Sequence, residues 1–197
     1  MVGANKEKSL TKLERELIEK GLRDTKHLMI LFLGVYGGLR VTEMIQCRHS
    51  WLEWHYIQEK KVLAINIPES DRDIRNKRKE WTPKTKTKRT TFIFETDKAA
   101  AIYFWFDNNK DGLQLSRQMI TTYIVKKKFS SLINRSDKDI STHALRSTYQ
   151  NYLYYEKNFD MKFCQLMLGH KDQATTTRFY TSHDKRSALS YLEQKEW

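Results

Sequence analysis

Proline is nearly absent: Pro68 and Pro83 are the only two in 197 residues, and both fall in the middle third. There is no internal repeat and no low-complexity stretch. The chain therefore shows no linker marked by composition, and its length suits one good core or a compact domain with appendages. Cysteine is as scarce. Cys47 and Cys164 each sit in a helix-like apolar setting, which argues against a disulfide-stapled scaffold and for two buried free thiols in a reducing compartment. Long apolar runs are missing too. The longest, from Leu28 to Tyr36, falls far short of the ~20 residues of a membrane span and lacks signal-peptide order, so it reads as a core helix. Metal-ligand spacing is also lacking. Neither His143 nor His170 has a Cys, Asp or Glu placed as a metal site would need, so a metal site is not expected there.

Negative charge is in short supply: 24 Asp and Glu stand against 36 Lys and Arg, a formal net charge of +12. The surplus gathers locally at Arg72 to Lys79, Lys84 to Arg89 and Lys126 to Lys128. A balance of that size favours a polyanionic partner, most simply nucleic acid; a solvated lysine face is the plainer alternative. The frequent aromatics are expected to fill the core rather than stack on bases.

The hydrophobic pattern changes period twice. Residues 1–8 read as a disordered start. Ser9 and Thr11 introduce Leu10, Leu13, Leu17 and Ile18, an amphipathic helix with plausible caps. A more apolar helix follows from Asp24 to Tyr36 and stops at Gly37-Gly38. A short helix then runs from Val41 to Cys47. In the middle third, Val62 to Ile67 is a β-branched run ending at Pro68, with Trp81 and Thr82 as a pairing partner and Thr90 to Phe94 as a third strand. This predicts a small antiparallel sheet with a basic hairpin at Lys84 to Arg89 and an exposed loop at Asp71 to Lys79. Helical periodicity returns at Asp97 to Phe106, Ser116 to Leu132, Ser141 to Tyr155, Met161 to Leu168 and Thr175 to Tyr180, and a last amphipathic piece spans Ser187 to Trp197. The fold class is α+β, mainly helical, with one domain over residues 9–197.

Particular side chains suggest a chemistry. His143 and Arg146 are three apart on a helix and share a face. A guanidinium offers a planar fork to two phosphate oxygens, and an imidazole beside it moves protons near neutral pH. A surface or capping pair has the same spacing. His170 follows Gly169, which places it at a helix-ending turn, where a structural role is the alternative. Tyr180 beside Phe179 reads as core unless a base takes its proton; with one, it is a nucleophile. Arg40 follows the paired glycines in Gly37-Gly38-Leu39-Arg40-Val41-Thr42-Glu43. Lys84, Lys86, Lys88 and Arg89 alternate with threonines, either as a solvated sheet edge or as a cationic finger along a phosphate backbone. Only a lysine among them could give up a proton.

Taken in order, these segments resemble the catalytic domain of the tyrosine recombinases, the phage-type integrases. Gly37-Gly38-Leu39-Arg40 with Glu43 is similar to the first arginine box. Thr142-His143-Ala144-Leu145-Arg146 is similar to the His-x-x-Arg box. Leu168-Gly169-His170, the threonine run and Tyr180 are similar to the last box. The likeness covers the chain from about Leu10 onward. It implies a mainly helical domain with a three-stranded sheet, double-stranded DNA as partner, and strand cleavage and rejoining without metal or nucleotide. Arg40 and Arg146 would bind the scissile phosphate, and Tyr180 would attack it to give a 3′-phosphotyrosyl link. A hairpin lysine would protonate the leaving 5′-oxygen; Lys84 fits that position best and Lys86 second. His143 would assist proton transfer and His170 would hydrogen-bond the phosphate. Lys86, Lys88 and Arg89 would contact DNA. The resemblance further implies self-association on DNA, as dimer to tetramer, with the tail after Ser187 docking on a neighbour; a helix packed on its own domain is the plainer reading of that tail. It also implies an intracellular, cytoplasmic or nucleoid-associated protein acting in the integration or excision of a mobile or viral element. The N-terminal core-binding domain usual in the family is not found in the sequence, so the chain reads as a catalytic fragment or a minimal member. Two other readings stay open, a catalytically silent DNA-binding relative and a type IB topoisomerase-like relaxing enzyme.

Overall fold

The computed structural model describes residues 9–169, 185–195 and 197. Helix α1 (Lys12–Gly21) starts at Thr11, whose hydroxyl accepts from the Glu14 amide while Glu14 reaches back to the Thr11 amide, a reciprocal cap. Asp24 caps α2 (Thr25–Val35), which is buried continuously from Met29 to Val35. Such a helix belongs inside a core, and α2 packs against α6 (Thr142–Asn151). Helix α3 (Val41–Gln46) follows the glycine turn.

A three-stranded antiparallel sheet comes next, in the order β1 (Leu52–Ile57), β2 (Lys60–Ile67), β5 (Arg89–Ile93). Three expectations need correction here. Trp81 does not pair with β2, because β1 and β5 occupy both of its edges. Instead β3 (Asp71–Arg72) pairs with β4 (Glu80–Trp81) in a separate two-stranded ladder, so the stretch from Asp71 to Lys79 begins in a strand rather than being loop throughout. The lysine segment is likewise no hairpin of the sheet. It connects β4 to β5 through a turn in which the Lys86 amide donates to the Pro83 carbonyl, with Lys86 at φ 51°.

Helix α4 (Thr96–Asn108) covers the sheet. A π-wound helix (Met119–Phe129) runs into the short α5 (Ser130–Leu132). Helix α6 starts at Ser141, whose side chain accepts from the Ala144 amide, and continues into a π turn, Tyr152–Glu156. Asp160 caps α7 (Met161–Leu168) by accepting from the Phe163 amide at 2.7 Å. Helix α8 (Lys185–Gln194) closes the described chain.

Tyr191 of α8 stacks on Phe163 at 4.5 Å, Leu192 is buried, and Trp197 meets Phe94 edge-on at 5.0 Å. In this structure the tail packs on its own chain, the plainer of its two readings. Cys47 and Cys164 are free and buried, as expected, and burial pushes both thiols up, Cys164 to about 12. Among the described residues no helix is long and apolar enough to cross a membrane.

One buried tyrosine ties the sheet to the helices. The Tyr149 hydroxyl donates to the Phe92 carbonyl at 2.7 Å and lies 2.9 Å from the Thr91 hydroxyl, which in turn reaches the Gly37 carbonyl at 3.0 Å. These bonds fix the glycine turn against β5 and α6. Tyr149→Phe removes the hydroxyl at constant ring volume and is expected to cost about 1–2 kcal/mol in urea denaturation. A change under about 0.3 kcal/mol would show that the phenol holds nothing.

Candidate active site

Helix α7 sets the geometry. The last carbonyls of any helix lack intrahelical partners and carry the negative end of its dipole. Here those carbonyls are taken by arginines from three distant parts of the chain. Arg89 donates to Met167 at 2.6 Å, Arg146 to Leu168, and Arg40 to Gly169 at 3.4 Å. The Gly38 carbonyl faces them from the other side and accepts from Arg146, and from Arg89 at 3.5 Å. Both glycines are required. Gly38 and Gly169 have φ of +62° and +59°, and a Cβ would fall 2.2 Å from Tyr149 Cδ1 at the first and 2.7 Å from Arg89 Cδ at the second.

Glu43 is the counter-ion. Its fully buried carboxylate accepts from the Arg40 amide at 2.7 Å, from Arg40 Nη1 at 2.9 Å and from Arg89 Nη2 at 2.6 Å. Burial by itself would raise its pKa. The charges of Arg89 and Arg146 and the hydrogen bonds from Arg89 and the Arg40 amide outweigh that and hold it at about 2. Arg146 is under the opposite pressure. Burial, then the charges of Arg89 and Arg40, push its pKa down. A guanidinium stays protonated in proteins, so the cluster is an electropositive site short of an anion. Three guanidinium groups face one carboxylate, leaving a surplus of two positive charges.

Arg40 is the most exposed of these arginines, with 21% of its side chain accessible, against 2% for Arg89. It forms part of the wall of an open cleft of about 350 Å³, lined also by Val41, Thr42, Trp81, Thr82, Lys84 and Arg117. Lys84 is thereby brought beside Arg40 although 44 positions separate them in sequence. His143 is exposed on the first turn of α6, one turn before Arg146. Lys86 and Lys88 are exposed on the β4–β5 connection. Arg89 corrects the sequence reading. It is buried against Glu43 and α7, so it positions other groups and has no free face for a DNA backbone. His170 and Tyr180 lie outside the described residues, as does the helix expected at Thr175 to Tyr180. Among the described residues no group of three or more His, Cys, Asp or Glu could hold a metal ion.

Sequence reasoning missed the counter-ion role of Glu43, although it sits three residues after Arg40 at the spacing of a helix first-turn cap. It missed Arg117 altogether, because no motif surrounds it. The model of the phage integrase family matches residues 7–187. The chain belongs to the phage integrase family.

Two solved structures share the integrase fold. The XerA recombinase aligns with a TM-score of 0.60 at 21% identity, over 94% of this chain and 62% of its own. The XerH site-specific recombinase, in a pre-cleavage complex with its difH substrate, aligns with a TM-score of 0.59 at 16% identity, over 83% of this chain and 47% of its own. This integrase-family chain therefore spans less than two thirds of either. No curated protein matches it in sequence.

Proposed function

We propose that this chain is the catalytic domain of a site-specific DNA recombinase that cuts and rejoins strands through a 3′-phosphotyrosyl intermediate. The observation that carries the reading is the gathering of Arg40, Arg89 and Arg146 around Glu43 at the end of α7. A phosphodiester brings one negative charge and its pentacoordinate transition state brings more, which suits a fixed surplus of two positive charges in a partly desolvated site. Arg40, which has an exposed face on the cleft, binds a non-bridging oxygen directly; Arg146, buried with its two Nη atoms on the Gly38 and Leu168 carbonyls, binds one by exchanging a carbonyl for the phosphate. The Tyr180 oxygen attacks phosphorus, the bond to the 5′-oxygen breaks, and Lys84 gives that oxygen its proton. His143 takes the phenolic proton, and His170, next in sequence after Gly169, donates to the phosphate. The covalent link keeps the phosphodiester's energy for rejoining, so no nucleotide is consumed. Lys86 and Lys88 follow the DNA backbone. Family membership supports DNA as the partner, and the XerH complex holds its difH substrate before cleavage. Protomers assemble on DNA as dimer to tetramer.

The test is a pool of duplexes with random sequence around a nick, mixed with the protein, quenched in detergent and sequenced from the protein-bound fraction. Enriched adducts support the reading. Intact binding with no adduct from any pool would make the chain a silent DNA-binding relative. Relaxation of plasmids that lack the enriched site would make it a relaxing enzyme. Within this assay Lys84→Ala is expected to slow adduct formation by about 10²- to 10⁴-fold, the usual size of a lost general acid. A substrate with sulfur at the bridging 5′ position needs no proton on its leaving group and restores the rate. Lys86→Ala should lose less than about tenfold. If rescue by sulfur follows Lys86 instead, the two lysines exchange roles.

A further inference from the structure

We infer that Arg117 is a second phosphate-binding residue of the cleft, holding a backbone phosphate that flanks the scissile one. The inference deepens the recombinase reading and rests on its placing DNA in this cleft. Arg117 reaches the cleft from just before the π-wound helix and lines it together with Arg40, Thr42, Thr82 and Lys84. Its backbone is held at a capped turn, where the Ser116 hydroxyl accepts from the Met119 amide at 3.1 Å and the Ser116 carbonyl accepts from the Ile120 amide. No carboxylate lines the cleft. Arg40 already has Glu43, whereas neither Lys84 nor Arg117 pairs with a carboxylate among the described residues.

Three cations, two threonine hydroxyls and the Trp81 ring thus surround one open space. The ring is itself braced against Trp51 at 5.5 Å. Cations so arranged repel one another until an anion enters, and a guanidinium fork suits a phosphodiester's paired oxygens. Arg40 and Arg146 are assigned to the reacting phosphate at the end of α7, so Arg117, which comes to the cleft from a different element, is left for its neighbour along the strand.

The experiment uses the whole chain and a 30-base-pair duplex, measuring binding by fluorescence anisotropy from low to moderate salt. Arg117→Ala is expected to weaken binding roughly tenfold at about 50 mM salt and to lower the slope of log K against log salt by about 0.9, the signature of one lost phosphate contact. Arg117→Lys keeps the slope, because the charge remains. An unchanged slope in Arg117→Ala, with a native circular dichroism spectrum and normal Tyr180 adduct, overturns the assignment and spares the recombinase reading. Wild-type protein that binds the duplex but forms no adduct, with the slope still falling in Arg117→Ala, ends the recombinase reading and leaves Arg117 in place. Failure of the wild type to bind duplex DNA overturns both.

Discussion

Replacing Tyr180 by phenylalanine is expected to abolish the covalent protein–DNA adduct and leave duplex binding within about twofold. The substitution removes one oxygen and keeps the ring. Phosphate affinity should persist, because the proposed mechanism assigns it to Arg40, Arg146 and the exposed lysines, none of which the substitution alters. The covalent step has no substitute, since a phenyl ring offers no lone pair to phosphorus. A residual rate of about 10⁻⁴ of wild type or less is the consequence of losing a nucleophile that acts with its neighbours as a unit. Denaturing gels of nicked-duplex reactions read the adduct, and anisotropy reads the binding. Adduct from Tyr180→Phe at the wild-type level would assign the nucleophile to another residue. Loss of binding together with adduct would mean that the tyrosine is structural.

Glu43→Gln is the second large effect, and it acts on stability. The substitution conserves shape but removes the carboxylate that three guanidinium groups surround. Arg89 and Arg146 are then left as buried cations without a counter-ion, a situation that costs about 3–5 kcal/mol. The pH dependence has a definite sign. Glu43 titrates at about 2 in the folded protein against an ordinary 4.5. Its contribution is therefore fully present above about pH 4.5 and is lost as pH falls towards 2, and the shift corresponds to about 3 kcal/mol. Urea denaturation at a series of pH values should show wild-type stability falling through that window and Glu43→Gln lacking this component. A variant as stable as wild type at pH 7 would mean that the arginines are compensated by something other than Glu43.

Much of the helical layout was legible because periodicity is a local signal. The all-apolar run in α2, the Asp24 and Thr11 caps and the glycine stop after Val35 each announce themselves within a few residues. Strand β1 did not. Leu52 to Ile57 mixes Glu53 and His55 with its aromatics, and its hairpin turn uses Gln58 and Glu59 at φ 48° and 64° where Asn-Gly would have been the readable choice. Trp81 was misassigned for a related reason. Which edges of β2 are free is a property of the assembled sheet, and a two-residue strand has no period to read. Arg89 was taken as a surface cation because the lysines before it are surface cations. Its inward turn comes from the first residue of β5 facing Glu43, which alternation alone does not reveal.

By itself the sequence determined the side chains from which a phosphate site can be built and the order in which the chain presents them. Composition, the helical period and short-range caps are written residue by residue, so Arg40, His143, Arg146 and the lysine run could be singled out before any contact was known. Only the tertiary structure decided which cations meet. The orphan carbonyls of α7 draw Arg40, Arg89 and Arg146 to one point, a buried Glu43 offsets part of their charge, and Arg117 is brought to the same open cleft as Arg40. Coulomb repulsion among these groups is overcome only where a helix end, a glycine turn and a carboxylate are assembled together, and that assembly joins residues up to 129 positions apart.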